Sequence, residues 1–196
     1  MSRGSETEIK LAVRDLRALR RRLRELGFRT LAPRHFETNE LFDFDDLRLW
    51  KARCLLRLRR ARGEWLLTLK GAPVASSRYK IRREVETRVE DGARLAEVLA
   101  AMGMRPAFRY EKYRTILVES ARAGKSGAPL LVLDETPVGN YLELEGPRRW
   151  IDRVAARLGY SPDDYITASY GALYREHCRR QGVPPTNMVF SRAKSC

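Results

Sequence analysis

Charged and apolar residues alternate in the first stretch of the chain. Glu6, Glu8 and Lys10 are separated by single residues, and Ile9 and Leu11 fill alternate positions. Successive side chains of a β-strand point to opposite faces of the sheet. This stretch therefore predicts a strand with one charged face and one apolar face.

The same two-faced pattern recurs further along the chain. It predicts strands over residues 35–44, 55–59, 65–71, 79–88, 108–119, 130–135 and 141–145. Arg62-Gly63-Glu64 separates two of them and is typical of a hairpin turn. Nearly every one of these strands carries charged residues on one face.

Helical periodicity appears between groups of strands. Apolar residues recur at intervals of three and four, which predicts helices over 15–26, 92–102, 148–158 and 163–180. Asp15 and Asp91 stand where they can cap the first two helices. The first three helices each end at glycine followed by a large apolar residue: Gly27-Phe28, Gly103-Met104 and Gly159-Tyr160.

A strand–helix unit is repeated three times. Each copy contains two glutamates one residue apart, at 6 and 8, 84 and 86, and 143 and 145, and each leads to one of the glycine-ended helices. Three such units in one chain indicate diverged copies or a recurring design.

The apolar strand faces match the apolar stripes of the helices. A sheet with this many strands tends to curl and close, which also removes its edges. We therefore predict an α+β fold, in which a closed antiparallel β-barrel has helices packed outside and a charged lumen. The predicted lumen contains Glu6, Glu8, Lys10, Arg57, Arg59, Lys70, Arg82, Glu84, Glu86, Lys112, Arg114, Asp134, Glu143 and Glu145.

Such a lumen must be occupied, because buried charges without partners are very costly. Carboxylates are the oxygen ligands that hard cations such as Mg²⁺ and Mn²⁺ prefer. Arginine and lysine bind phosphate oxygens, and arginine can do so in bidentate fashion. A site with both classes of residue fits a metal-chelated polyphosphate.

The ordered series of motifs resembles the CYTH family of triphosphate tunnel metalloenzymes, which includes class IV adenylyl cyclases, thiamine triphosphatases and inorganic triphosphatases. The resemblance covers about residues 5–175 and is carried by Glu6-x-Glu8-x-Lys10, Arg57-x-Arg59, Lys70-Gly71, Arg82-x-Glu84-x-Glu86, Lys112-x-Arg114, Asp134, Glu143-x-Glu145 and Ser169-Tyr170. It implies a β-tunnel that binds a triphosphate with a divalent metal.

The resemblance also implies roles for individual residues. The implied metal ligands are Glu6, Glu8, Asp134, Glu143 and Glu145. The implied triphosphate-binding residues are Lys10, Arg57, Arg59, Lys70, Arg82, Lys112 and Arg114. Glu6, Glu8 and Lys10 are the implied catalytic residues, the roles of Glu84 and Glu86 stay open, and nothing is assigned within the strand from Phe36 to Phe44.

Length and charge are consistent with this hypothesis. The chain has 196 residues, enough for one domain, which we place at 1–181 with a C-terminal tail at 182–196. Its formal net charge of +14 indicates a polyanionic partner. A metal-dependent triphosphate hydrolase is the leading hypothesis, and an adenylyl cyclase is the second. A non-catalytic binder of polyphosphate or RNA ends is a remote third, so a small triphosphate is favoured over nucleic acid.

Cysteine and tryptophan add smaller expectations. Cys54, Cys178 and Cys196 lack metal-ligand spacing, so free thiols in a reducing compartment are expected. No signal peptide or membrane span is evident, which predicts a cytoplasmic protein without a membrane partner, either monomer or homodimer. Trp50, Trp65 and Trp150 are interpreted as packing residues, unless Trp50 lies at a tunnel mouth, where it could stack on adenine.

Overall fold

The described residues, 5–76 and 78–191 of a computed structural model, form eight strands and five α-helices. The strands are β1 (Ser5–Val13), β2 (Phe28–Phe44), β3 (Leu55–Ala61), β4 (Glu64–Lys70), β5 (Lys80–Val89), β6 (Met104–Glu119), β7 (Leu130–Thr136) and β8 (Gly139–Glu145). The helices are α1 (Leu16–Glu25), α2 (Arg48–Lys51), α3 (Gly92–Ala101), α4 (Arg148–Arg157) and α5 (Tyr170–Gln181).

The strands close into an antiparallel barrel in the order β1-β5-β4-β3-β2-β6-β7-β8. The first strand closes the ring, because β1 pairs with β5 on one side and with β8 on the other. Glu8 is the register partner of Lys80 on β5 and of Glu145 on β8. The predicted α+β fold, a closed barrel with a charged interior and helices outside, is confirmed.

The hydrophobic core lies between the barrel and its helices. Leu23 of α1 and Ile151 of α4 are fully buried with Ile9, Leu11 and Leu144 from the outer face of the barrel. A second cluster joins α3 to β2, β3 and β6. Each fully buried side chain of this size contributes roughly 1.5–3 kcal/mol. The helices thus stabilise the barrel from outside and leave its interior to polar residues.

The first three predicted helices are confirmed, with ends as the sequence indicates. The Asp15 carboxylate accepts hydrogen bonds from the backbone N–H groups of Arg17 and Ala18 at the start of α1. Gly27, Gly103 and Gly159 follow α1, α3 and α4 with φ of 82°, 84° and 87°. Glycine adopts this left-handed conformation without steric cost, which explains its recurrence.

The last helix starts later than predicted. Residues Pro162–Asp164 form a 3₁₀ turn, and α5 begins only at Tyr170. Between them, the backbone of Ile166 exchanges two hydrogen bonds of 2.9 Å with Lys10 of β1. A residue whose backbone extends the barrel in this way cannot also be helical, so the periodicity over 163–180 was misleading at its start.

The chain after α5 returns to the barrel. Met188 is fully buried and pairs through its backbone with Arg109 and Glu111 of β6, beyond the residues of β6 that β7 covers. Cys54 and Cys178 are free thiols, as predicted, and Cys196 lies outside the described residues. None of the described helices is long and apolar enough to cross a membrane.

Candidate functional site

The barrel interior is a large cavity with a mixed but positive lining. Its volume is about 1730 Å³. Twelve Lys or Arg residues line it, against seven Asp or Glu residues. A confined space with this excess of positive charge attracts polyanions strongly, because low-dielectric walls focus the field.

Three carboxylates meet at one place in this cavity. Oxygen atoms of Glu6, Glu8 and Glu145 lie within 4.8 Å of one another, and we call these residues the carboxylate group. Barrel closure brings them together, since Glu8 pairs with Glu145 and Glu6 lies one strand period away on the same face. Three carboxylates at this spacing are a fitting donor set for Mg²⁺ or Mn²⁺.

Two members of the carboxylate group resist ionisation. Burial raises the pKa of Glu6 to about 9, and repulsion from Glu145 adds to the effect. Burial and repulsion from Glu143 raise the pKa of Glu145 to about 7. A divalent cation would relieve this repulsion, so the electrostatics as well as the donor set fit a metal.

Glu8 differs from its neighbours because lysines hold it ionised. Burial alone would raise the pKa of Glu8, but Lys10 and Lys80 outweigh burial and place it well below the ordinary value. The Lys10 Nζ lies 3.1 Å from Glu8 Oε1, and the Lys80 Nζ lies 2.6 Å from the same oxygen. Glu8 is therefore the member of the group whose ionised form is favoured.

Asp134 and Glu143, also predicted as metal ligands, lie outside the carboxylate group. Asp134 is fully buried and accepts hydrogen bonds of 2.6–2.8 Å from Lys112, Arg114 and the Tyr170 hydroxyl. Glu143 contacts Lys10 at 3.0 Å and Arg114 at 2.8 Å. Register explains this, because Asp134 is paired with Arg114, and Glu143 with Lys10. Lysine and arginine side chains of the neighbouring strands therefore occupy the carboxylate oxygens of Asp134 and Glu143.

Three arginines of the cavity lining each have a buried donor without a partner. The Nε atoms of Arg57, Arg59 and Arg82 are buried and form no hydrogen bond with any other described residue. Burial lowers the pKa of Arg59, and the adjacent Arg57 adds to this effect. Buried donors without acceptors are costly. An anion with several oxygens would satisfy them and relieve the crowding of positive charge.

Glu84 and Glu86, whose roles the sequence left open, contact basic side chains. Glu84 forms an ion pair with Lys70. Glu86 accepts from Arg59 at 3.2 Å and from the Thr68 hydroxyl at 2.7 Å. Both carboxylates thus orient the basic residues of the neighbouring strands, and neither belongs to the carboxylate group.

Comparison with known proteins agrees with the fold. A model of the CYTH domain matches residues 4–169. This chain belongs to the CYTH family. A protein of Methanocaldococcus jannaschii, provisionally named an adenylate cyclase, is 24% identical over 169 residues, which cover 84% of this chain and 95% of the relative.

Solved structures share the CYTH barrel at low sequence identity. A Vibrio parahaemolyticus protein, provisionally named an adenylate cyclase, superposes with a TM-score of 0.75 at 19% identity, covering 88% of this chain and 98% of its own. A plant protein from Hippeastrum superposes with a TM-score of 0.60 at 19% identity, covering 92% and 97%. That protein is described as a provisional adenylyl cyclase with a dominant triphosphatase activity.

The CYTH lumen also contains residues that the sequence analysis missed. Glu37 and Asn39 of β2 are buried in the barrel, at 2% and 0% exposure. They lie one strand period apart, so the alternation used for other strands could have identified them. Lys80 shares the inward face of Arg82 and Glu84, and was omitted although the same alternation applied to it.

Tyr170, the first residue of α5, lines the same cavity as the carboxylate group. Its ring centroid lies 5.3 Å from Lys10 Nζ and 5.0 Å from Lys112 Nζ, and its hydroxyl donates to Asp134. Ser169 caps α5 by accepting from the Ala172 N–H, which fixes the start of the helix. The Ser169-Tyr170 motif therefore positions the lysines and Asp134.

Glu37 should make the free energy of unfolding of the CYTH barrel fall at acidic pH. Burial alone would raise its pKa, but Arg114 and Lys112 outweigh burial and lower the pKa to about 2 from 4.5. A carboxyl group whose pKa is lower in the folded state than in the unfolded state stabilises the protein at pH values above its unfolded-state pKa. That stabilisation is lost as the pH falls through the folded-state pKa. Glu37→Gln should therefore cost on the order of 3 kcal/mol at pH 7.

Urea unfolding of both proteins from pH 7 to pH 2 checks this expectation. The difference in free energy of unfolding should be constant down to about pH 5 and shrink steadily towards pH 2. A difference that does not change with pH would show that Glu37 contributes through packing and not through its charge.

Proposed function

We propose that this CYTH chain is a divalent-metal-dependent triphosphatase. The observation that carries the proposal is the presence of two complementary sets in one lumen. The carboxylate group suits a divalent cation, and the arginine donors without partners suit phosphate oxygens. The Hippeastrum protein, which is described as having a dominant triphosphatase activity, adds support from a protein of the same fold.

The carboxylate group would hold Mg²⁺ or Mn²⁺. Such an ion, when bound, polarises phosphoryl oxygens and neutralises their charge. The chain's own contribution is to position the ligands, with Lys80 and Lys10 fixing Glu8, and Lys70 lying 3.5 Å from Glu6. Glu8 and Lys10 are both buried, which strengthens the charge interaction between them.

The basic residues would bind and orient the triphosphate. In hydrolysis, water attacks a terminal phosphorus, the bond to the bridging oxygen breaks, and the diphosphate that leaves carries the developing negative charge. Arg57 and Arg59 have the free donors to stabilise that charge, and Lys70 adds a further cation. Lys112 and Arg114 are engaged by Asp134, so they contribute mainly to the positive field.

An adenylyl cyclase is the second candidate. The provisional names of the Methanocaldococcus and Vibrio proteins favour it. In that reaction the ribose 3′-hydroxyl attacks the α-phosphorus of ATP and pyrophosphate leaves. The same metal and the same arginines would serve, so the two activities differ in which oxygen reaches which phosphorus.

A product assay distinguishes the candidates. The purified protein is incubated with Mg²⁺ or Mn²⁺ and, in parallel, with tripolyphosphate, ATP or thiamine triphosphate. Release of inorganic phosphate is the expected result. Cyclic AMP with pyrophosphate would establish the cyclase instead, and tight binding without turnover would leave a non-catalytic polyphosphate binder. Loss of turnover on chelation by EDTA tests the metal requirement.

Arg57 and Arg59 should be needed for binding as well as turnover. Each Ala substitution removes a charge-assisted contact to phosphate, which contributes about 1.5–3 kcal/mol, so affinity for tripolyphosphate should fall roughly tenfold to a hundredfold. Calorimetric titration measures this. Arg17→Ala, an exposed arginine on the outer face of α1, is the control. Unchanged affinity in both lumen variants would contradict the assignment.

A further inference from the structure

Most of the positive charge of this chain lies outside the lumen. The lumen contributes an excess of five, from its twelve Lys or Arg residues against seven Asp or Glu residues. Residues 14–34, 119–125 and 148–157 comprise α1, α4 and the strand ends and turns that adjoin them, and hold fourteen Lys or Arg residues against four Asp or Glu residues. This excess of ten is most of the formal net charge of +14, and a substrate inside the barrel does not explain it.

Exposed arginines form a stripe along each of the two helices. On each helix, three arginines recur at intervals of three or four residues, which places them on one side of the helix. All six are exposed, and we call them the arginine stripes: Arg17, Arg21 and Arg24 of α1, and Arg149, Arg153 and Arg157 of α4. The two helices meet at their C-terminal ends, where the Arg22 guanidinium donates to the Arg157 carbonyl at 3.3 Å.

The carboxylates beside the arginine stripes are too few to neutralise them. Glu25 is shared by two arginines of α1, and Glu119 is shared by Arg122 at 3.1 Å and Arg153 at 3.3 Å. Of the arginine stripes, only Arg21 and Arg153 form an ion pair with another residue that the structure describes. Ion pairs between such exposed side chains are weak. The stripes therefore present cations that are available to an external anion.

Helix stability does not explain the arginines at the N-terminal ends of α1 and α4. The first turn of a helix carries partial positive charge from its unpaired N–H groups, so a cation there is unfavourable. Arg17 lies in the first turn of α1 and Arg149 in the first turn of α4, and neither turn contains an acidic residue. Arg24 and Arg157, in the last turns, do suit the helix dipole. Positive charge along the whole length of both helices thus indicates a ligand.

The chemistry of this face favours the backbone of a nucleic-acid duplex. The planar guanidinium fork of arginine matches phosphate oxygens. Helices that dock on membranes insert apolar side chains, but the exposed large apolar residues of the described chain include none from α1 or α4. Neither helix contains Phe, Tyr, Ser, Thr, Asn or Gln, and Trp150 is buried. The stripes thus lack side chains that stack on unpaired bases or read the 2′-hydroxyl of RNA.

We propose that the arginine stripes bind the phosphodiester backbone of double-stranded DNA without regard to its sequence. The site is separate from the lumen and adds a macromolecular partner to the small triphosphate proposed there. Contacts with phosphates release the counterions of the duplex, so the affinity should fall steeply as the salt concentration rises.

Fluorescence anisotropy of a labelled DNA duplex, in EDTA and at about 50 to 200 mM salt, tests the site. The variant combines Arg17→Ala, Arg21→Ala, Arg149→Ala and Arg153→Ala. Its affinity should fall at least about tenfold, and the slope of log K against log salt should become shallower by about three to four, because each phosphate contact contributes about 0.9. Turnover of tripolyphosphate should equal that of wild type.

The matched control removes the same number of charges from other elements. It combines alanine substitutions of exposed arginines on α3, β6 and α5: Arg94, Arg105, Arg179 and Arg180. Its affinity for the duplex should stay within about threefold of wild type. An equal loss in both quadruple variants would show that net charge alone attracts the duplex, and would overturn the site.

Charge reversal separates binding from stability. Arg17→Glu combined with Arg149→Glu places acidic residues in the first turns, which suits the helix dipole. The urea midpoint should therefore rise while affinity for the duplex falls. Unchanged duplex affinity in this variant would overturn the site even if the quadruple variant fails to fold.

Further outcomes would contradict the choice of ligand or its place. Loss of duplex binding in Arg57→Ala and Arg59→Ala would place the DNA at the lumen. Tighter binding of duplex RNA, or of vesicles that contain phosphatidylserine, would overturn the choice of DNA. Wild-type protein that does not bind the duplex at about 50 mM salt would overturn the proposal outright, and would leave the triphosphatase proposal intact.

Discussion

Glu8→Gln should lose most turnover, by at least about a hundredfold, and retain binding of tripolyphosphate. Glu8 is the member of the carboxylate group that is fully ionised at neutral pH, so the substitution removes the charge on which metal binding most depends. Glutamine keeps the volume and one carbonyl oxygen. Arg57 and Arg59 both lie on β3 and keep their donors, so the anion can still bind.

The structure adds a stability effect to this prediction. Glu8→Gln leaves Lys10 with Glu143, but removes the carboxylate 2.6 Å from Lys80. Burial, with repulsion from Lys10, already lowers the pKa of Lys80 to about 8, so this lysine can release its proton at modest cost. The barrel should therefore remain folded, with a reduced but measurable free energy of unfolding.

The measurement is turnover of tripolyphosphate as a function of Mn²⁺ concentration, with circular dichroism to verify folding. Excess Mn²⁺ should restore part of the activity by mass action, because the metal site is weakened and not abolished. Glu25→Gln, an exposed carboxylate on α1, is the control and should behave as wild type. Wild-type turnover by Glu8→Gln at limiting metal would remove Glu8 from the metal site.

The barrel was predictable because the charged residues of its strands lie on the face that points away from the helices. Alternation along β1, β3 and β5 shows which residues share a face, and helices with apolar stripes show which face is covered. A charged face then has to be interior once the sheet closes. Period and composition alone decide which face is interior, so errors in the ends of individual elements, such as the start of α5, leave the predicted barrel unchanged.

Alternation could not predict which acidic residues lie next to one another and which pair with basic residues. Alternation assigns Glu8, Asp134 and Glu143 to one surface, but the register between strands decides which cation lies opposite each of them. Asp134 meets Arg114, whereas Glu8 meets Glu145. These pairings join residues that are 20 and 137 positions apart, and no local pattern encodes such a shift. Glu37 is a different case, because it lies in the regular run of β2 from His35 to Leu41, where alternation was sufficient to place it on the inward face.

Asp134→Asn should destabilise the protein by about 3–5 kcal/mol and leave metal affinity within about threefold of wild type. Asp134 is fully buried, and its two oxygens accept from Lys112, Arg114 and Tyr170. Removing the negative partner of a buried ion pair leaves cations without compensation, and that cost exceeds the worth of the pair itself. Arg114 attracts Asp134 strongly enough to lower its pKa to about 2 in spite of burial.

The contrast between Asp134→Asn and Glu8→Gln decides which carboxylates bind the metal. Urea unfolding gives the stability change, and titration with Mn²⁺ followed by electron paramagnetic resonance gives the affinity. Asp163→Asn, an exposed aspartate in the 3₁₀ turn before α5, is the matched control and should stay within about 0.5 kcal/mol of wild type. If Asp134→Asn weakens Mn²⁺ binding as much as Glu8→Gln does, Asp134 is a ligand and its lysine and arginine contacts rearrange when the metal binds. If stability alone falls, the wider set of five ligands narrows to Glu6, Glu8 and Glu145, and Asp134 serves to hold the cations of β6 in the lumen.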